Sequence, residues 1–346
     1  MKGAGGIPLA ARLIGVVAIP IVATTVLALD RIDTEQRQAD EADAIVAVVE
    51  VQRDVAAIYR PAQIERIGLV GLARVDELKL PRQLVVTYTG IDLEEMYDQG
   101  VVDLDVALDA LAAGHASMTL ADGSKLGDRL AEFRMALDQQ RLKANDRRTT
   151  AADVEVVFTQ LDDLLALTLS STRVQMSNDN DAGHAQLDAL GDVIVSGGRH
   201  AYDTTRALVY RTEDPALDMR MTGATHESDL DRFEALLDPS QRRDAERLRA
   251  QLPTPVDFDP VPEGSEDTTS MDASLIKTTA EQILEHVDYV EALKAYSSSF
   301  HDDVASDVAA SAAMARSHET RTKQLLIGII GITLALVTWV LWSTLA

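Results

Sequence analysis

The chain has 346 residues, a net charge of −24, no cysteine and only 4% aromatic side chains. The acidic balance excludes nucleic acid as a partner, because phosphate binding needs clustered Lys and Arg, and the scarcity of rings removes the stacking platforms of single-strand binders. Without cysteine there is neither disulfide nor thiolate chemistry, so the chain tolerates an oxidising compartment.

Abundant Ala, Leu, Val, Asp and Arg, with few Gly and Pro, favour helix over sheet. Arg outnumbers Lys by 25 to 7, as in proteins of GC-rich bacteria. In chain order, residues 1–6 read as a short cytoplasmic N-terminus and 7–29 (IPLAARLIGVVAIPIVATTVLAL) as a first transmembrane helix. Arg12 is near enough to the end for its stem to reach the headgroups, and Pro20 bends a membrane helix without breaking it. The rival reading of this stretch is a cleaved signal peptide, with Val26-Leu27-Ala28 at the cleavage site. Lys2, Arg12 and the free amine favour a cytoplasmic N-terminus, although Arg316, Arg321 and Lys323 just before the second apolar stretch argue against it. The orientation adopted is N-terminus in, with residues 30–324 extracytoplasmic and the protein in the cell membrane.

From Asp30 to Tyr59 one helix is expected, with Ile45, Val48, Val49, Val55 and Tyr59 on one stripe. Arg60-Pro61 should interrupt it, and Pro61 fits the first turn of a second helix, Ala62 to Leu78. Val85-Val86-Thr87-Tyr88-Thr89 is β-prone but has no second run nearby to pair with. Helical spacing then recurs through Leu104, Leu108 and Leu111, through Leu126, Leu130, Phe133 and Leu137, and through Val154, Leu161, Leu165 and Leu169. The polar break Ser177 to Gly183 is the expected boundary between a first helical half, 30–175, and a second, 176–324. Further helices are expected over Ala185–Thr212, His226–Leu237 and Gln241–Gln251, followed by an exposed, proline-containing loop from Leu252 to Ser270.

One long helix is expected from Met271 to Lys323, with no Pro or Gly to absorb a displacement along its axis. Ile283, Val287, Val290, Leu293, Phe300, Val304 and Val308 recur on it at threes, fours and sevens, a seam suited to the Asp30–Tyr59 helix or to its copy in a homodimer. This seam is the candidate signal-transmitting surface. Residues 325–345 (LLIGIIGITLALVTWVLWSTL) carry no charge over about the length that crosses a bilayer, with Trp339 and Trp342 placed for an aromatic belt. Because the chain ends just past this second span, it reads as the input half of a longer receptor.

Motifs for catalysis are missing: GxSxG, HExxH, GxGxxG and the P-loop do not occur. Seven His with no Cys leave poor material for zinc, so no metal and no cofactor are expected. Asp179-Asn180-Asp181 lacks the remaining positions of a calcium loop and reads as a helix cap. His226-Glu227 and His301-Asp302-Asp303 read as polar pairs on solvated helix faces.

Arg60, Gln63, Glu65 and Arg66 lie together in Pro61-Ala62-Gln63-Ile64-Glu65-Arg66-Ile67-Gly68. Here the chain resembles the nitrate- and nitrite-sensing family of bacterial extracytoplasmic domains, in which a Gln-x-Glu-Arg phrase lies early in an all-helical double bundle. The resemblance covers four positions and the overall plan. It implies an all-α double four-helix bundle between two membrane helices and a small anion as ligand, held by Arg66, since a guanidinium forks onto a planar oxyanion. Arg199 or Arg206 would oppose Arg66, with Arg60 and Glu65 beside it; the alternative is that Glu65 and Arg66 form ordinary ion pairs.

The wider plan is similar to the sensor regions of actinobacterial membrane-bound signalling proteins. That resemblance implies a cytoplasmic output, of diguanylate cyclase and phosphodiesterase type or of histidine kinase type. A membrane-anchored helical scaffold without ligand is the competing reading, and the partners expected are lipid, a second copy and a small extracytoplasmic ligand.

Overall fold

The computed structural model describes residues 9–176, 182–254, 256 and 273–345. Among them the chain is all-helical: α1 (Leu9–Glu77), α2 (Arg82–Thr89), α3 (Leu93–His115), α4 (Leu126–Asn145), α5 (Ala151–Met176), α6 (Ala182–Tyr210), α7 (Glu213–Leu236), α8 (Pro239–Arg249) and α9 (Ala273–Leu345). A single isolated bridge, Thr119 to Lys125, closes the turn before α4. The expected start of the last helix at Met271, most of the Leu252–Ser270 loop, the Asp179-Asn180-Asp181 phrase and the N-terminus 1–6 lie outside the described residues.

The chain forms two compact units, Met1–Ala47 with Ala305–Ala346 and, separately, Val48–Val304. Both sequence halves contribute to the second unit, whose core is α1 from Val48 onward. Every side chain from Pro61 to Val70 is buried. Such a stretch needs neighbours on all sides, and they are present. Gly68 and Gly71 admit Tyr97 and Leu93 of α3, Glu65 reaches Arg141 of α4, Arg66 reaches Asp162 of α5, and Gln63 donates to the carbonyl of Gly198 on α6. On α9, Gln52 meets His301 and Arg60 pairs with Glu291. A second cluster joins α7 to α9, where Phe233 packs edge-on against Tyr296 and Phe300 with centroids 6.0 and 5.6 Å apart.

Pro61 does not interrupt α1, contrary to the expectation of two helices meeting there. A proline removes one hydrogen bond of the ladder, and burial on every side of this stretch outweighs that loss. The β-prone Val85–Thr89 run is helical within α2, where Thr87 and Thr89 return their hydroxyls to the carbonyls of Gln83 and Val85. Gly90 ends that helix in the left-handed region, φ 74°.

Among the described residues no helix is long and apolar enough to cross a membrane. The two spans expected at 7–29 and 325–345 are therefore not found there. The side chains of 7–21, of Val337, Val340 and Leu341, and of 343–345 are not among those described.

α3 crosses α1 closely at Gly100, where an added Cβ would lie 2.5 Å from the backbone nitrogen of Glu65. Neither backbone can yield without opening the crossing. Gly100→Ala is accordingly expected to destabilise the second unit by about 1–3 kcal/mol, read as a lowered midpoint of chemical denaturation.

Candidate functional site

The polar centre of the second unit is built from successive turns of α1 and from the facing turns of α5 and α6. Arg66 is buried, and its Nη1 lies 3.1 Å from Asp162 Oδ2. Its guanidinium carbon sits 3.2 Å from the ring centroid of Tyr202 on α6 and 5.5 Å from that of Phe158 on α5, so the cation lies against two aromatic faces. Asp203 shares the surroundings, and its carboxyl feels Arg66, Arg206 and Arg199 in turn. Burial pushes the carboxyls of Asp162 and Asp203 above the usual range, while these arginines pull them down. Among the described residues Tyr59 Oη, Gln63 Oε1 and Arg66 Nε have no hydrogen-bond partner.

The sequence-selected residues divide accordingly. Arg66, Arg199 and Arg206 gather around Asp162 and Asp203. Arg199 is exposed and has no ion pair among the described residues. Arg206 is held by Glu155 at 2.6 Å and by Asp218. Glu65 faces elsewhere. Both its oxygens are 2.8 Å from Arg141, which also holds Asp105 at 2.9 Å. Arg60 pairs with Glu291 on α9. An anion entering at Arg66 would meet a guanidinium already matched by a carboxylate, and would have to displace Asp162 or find it protonated.

On α9, Val290, Leu293 and Phe300 of the expected seam are buried, whereas Ile283, Val287, Val304 and Val308 are half-buried. The same buried face carries polar residues that the apolar pattern passed over: His286, Tyr289, Ser297 and His301. His226 and His301, expected on solvated faces, are each 1% exposed. Each has partners that make burial tolerable. His226 lies 3.0 Å from Ser196 Oγ and 2.7 Å from Tyr289 Oη, and His301 lies 3.3 Å from both Ser297 Oγ and Gln52 Oε1. Their spacing is itself a signal, since His286, Ser297 and His301 continue the three-and-four steps of Val290 and Leu293, and His226 precedes Leu230 and Phe233 in the same way. Among the described residues no group of three or more His, Asp or Glu is placed to hold a metal ion.

No protein-family model matches the chain, and no curated protein or solved structure is similar to it. The site therefore rests on its own geometry.

The Arg66–Asp162 pair invites a stability test. Arg66→Met strands a buried carboxylate and should cost about 3–5 kcal/mol, whereas Arg66→Met with Asp162→Leu should recover most of the loss. Denaturation of both single variants and the double variant completes the cycle.

The buried imidazoles set a pH dependence. Burial lowers His200 and His301 to about 4 and His226 to about 3, from an ordinary 6.5. The unfolded chain then takes up protons that the folded chain refuses, so their contribution is complete above pH 6.5 and is lost as pH falls toward about 4. The raised carboxyls of Glu65, Asp162 and Asp203 act in the opposite sense. The histidine part is read by difference: the fall in melting temperature between pH 7 and 4.5 should be shallower in His301→Gln than in the parent.

Proposed function

We propose that the chain is the sensory input module of a two-span membrane receptor, with residues 30–324 outside the membrane and α1 and α9 carrying the signal to a cytoplasmic output. The observation that supports this most directly is the apolar surface at the paired ends of α1 and α9. In the first unit Gln36 Nε2 donates to Glu319 Oε1 at 2.9 Å, and Arg316 Nη2 meets Asp43 Oδ2 at 2.5 Å. These contacts define an antiparallel register, which when continued brings Val22–Leu29 alongside 326–337.

Along that pairing the less exposed positions are Thr25, Ala28, Ile32, Glu35, Ala39 and Ala42 on α1. They face Ala312, Ala315, Glu319, Thr322, Leu326 and Ile329 on α9. The alternating steps of three and four are those of a heptad seam. Most of the large apolar side chains point the other way. Val22, Val26, Leu27 and Leu29 on α1, and Leu325, Ile327, Ile332 and Leu334 on α9, are exposed, as are Trp339 and Trp342, at 68% and 77%.

Water disfavours an exposed apolar surface of this extent, whereas the bilayer interior accepts it. The tryptophans suit the headgroup level. Just beyond the apolar stretches, Arg31–Glu35 and Lys323–Glu319 pair along their own helices, a polar collar where the lipid boundary would lie. The small lateral groups of the seam leave room for the axial helix shift of about 1–2 Å by which such switches operate.

The test uses the chain's lack of cysteine. Ala42→Cys with Ala315→Cys, placed on facing turns of the seam, should close an intramolecular disulfide in isolated membranes. Protease added to spheroplasts should cut within 30–324. A pair that stays reduced, or a region that stays uncut, would overturn the proposal.

A further inference from the structure

Between α6, α7 and α9 lies a cavity of about 490 Å³, within the range of small-molecule sites. It is separate from the Arg66 cluster, and its inner wall carries His200, Thr204, His226 and His286. His226 spends both ring nitrogens on Ser196 and Tyr289, so it builds the wall and has nothing left to offer a ligand. The other two rings differ. His286 Nδ1 lies 2.8 Å from the carbonyl of Gln282, and His200 Nδ1 lies 3.5 Å from Thr222 Oγ1, whose own proton goes to the carbonyl of Asp218. A carbonyl only accepts, and so does a hydroxyl whose proton is already given, so in each ring Nδ1 carries the proton and Nε2 keeps a lone pair. The two ring centroids are 5.8 Å apart. Beside them Thr204 is 1% exposed, and among the described residues its Oγ1 has no hydrogen-bond partner. The wall therefore presents two acceptors and one unused hydroxyl, a set that suits a group rich in N–H donors.

The rim adds charge of both signs. Arg220 and Glu227 line the same cavity from α7, seven residues apart and therefore on one helix face. Both are exposed, and among the described residues neither has an ion-pair partner. An anion alone would leave Glu227 facing it, and a cation alone would meet Arg220. A ligand carrying both charges satisfies both. We infer that this cavity binds a small zwitterion of the α-amino-acid class, its ammonium toward Glu227 and the His200, His286 and Thr204 wall and its carboxylate toward Arg220. Gly223 keeps the space open, since an added Cβ would come 3.0 Å from His200 Cε1. The inference names a ligand class for the input module proposed above and rests on that reading.

The test is thermal shift and calorimetry on the purified full-length chain in detergent, with each of the twenty common α-amino acids, and with ethylammonium and acetate as half-ligands. At least one amino acid should raise the melting temperature, and neither half-ligand should do so at the same concentration. Arg220→Gln and Glu227→Gln, both at exposed positions that folding does not need, should each weaken binding by about tenfold or more. Gly223→Val should block it. Absence of binding by all twenty, binding of acetate alone as strong as that of any amino acid, or indifference to both rim variants would overturn the inference. The disulfide and protease results need no ligand, so a failure here would leave the two-span reading standing.

Discussion

The second unit depends on the complete enclosure of α1 between Pro61 and Val70. A helix buried on all sides is ordinarily apolar all round, yet this one carries Gln63, Glu65 and Arg66 in its most enclosed turn. Buried charge is tolerated only when paired and hydrogen-bonded, and each of the three has its own partner. Glu65 and Arg66 are adjacent, so their side chains leave the helix about 100° apart. One therefore engages α4 and the other α5. Apolar packing is forgiving of a few degrees of rotation. A two-pronged carboxylate–guanidinium contact at 2.8 Å is not. Together the pairs fix how α1 is turned relative to both neighbours at once.

That enclosure also explains Pro61. Local preference argued for a helix boundary, and the missing N–H is a real loss. Tertiary context outweighs it because the neighbours of α1 enclose the chain and keep it helical through the position. Val85–Thr89 shows the same hierarchy on a smaller scale. β-branched residues disfavour helix only weakly, and with no second strand available the run takes the helical form that its own threonine hydroxyls can support.

What the sequence makes legible is the periodic part. Leu104, Leu108 and Leu111, or Leu126, Leu130, Phe133 and Leu137, are buried as their spacing predicts. The Arg66, Arg199 and Arg206 group could be guessed from the suitability of guanidinium for anions, but the two aspartates among them could not. Asp162 lies in α5 and Asp203 in α6, at positions with no local signal, and they turn an apparent anion hole into a charge-balanced centre. The buried histidines were misread despite their spacing. His226 and His301 look solvated beside Glu227 and Asp302, and only the serine, tyrosine and glutamine brought by other helices make them interior residues.

The contrast between the two units bears on how a signal would travel. In the second, aromatic and branched side chains interlock and ion pairs fix rotation, so rearrangement there costs many contacts at once. In the first, the facing positions are alanine, threonine and a few larger groups, with Glu35 buried and its Oε2 without a hydrogen-bond partner among the described residues. Small side chains interdigitate shallowly and hold two helices close without locking their axial position. On the proposed reading, the rigid unit is where a ligand would bias the packing, and the smooth seam is where that bias would become a displacement. An alanine seam made bulky should therefore alter signalling while leaving ligand affinity unchanged.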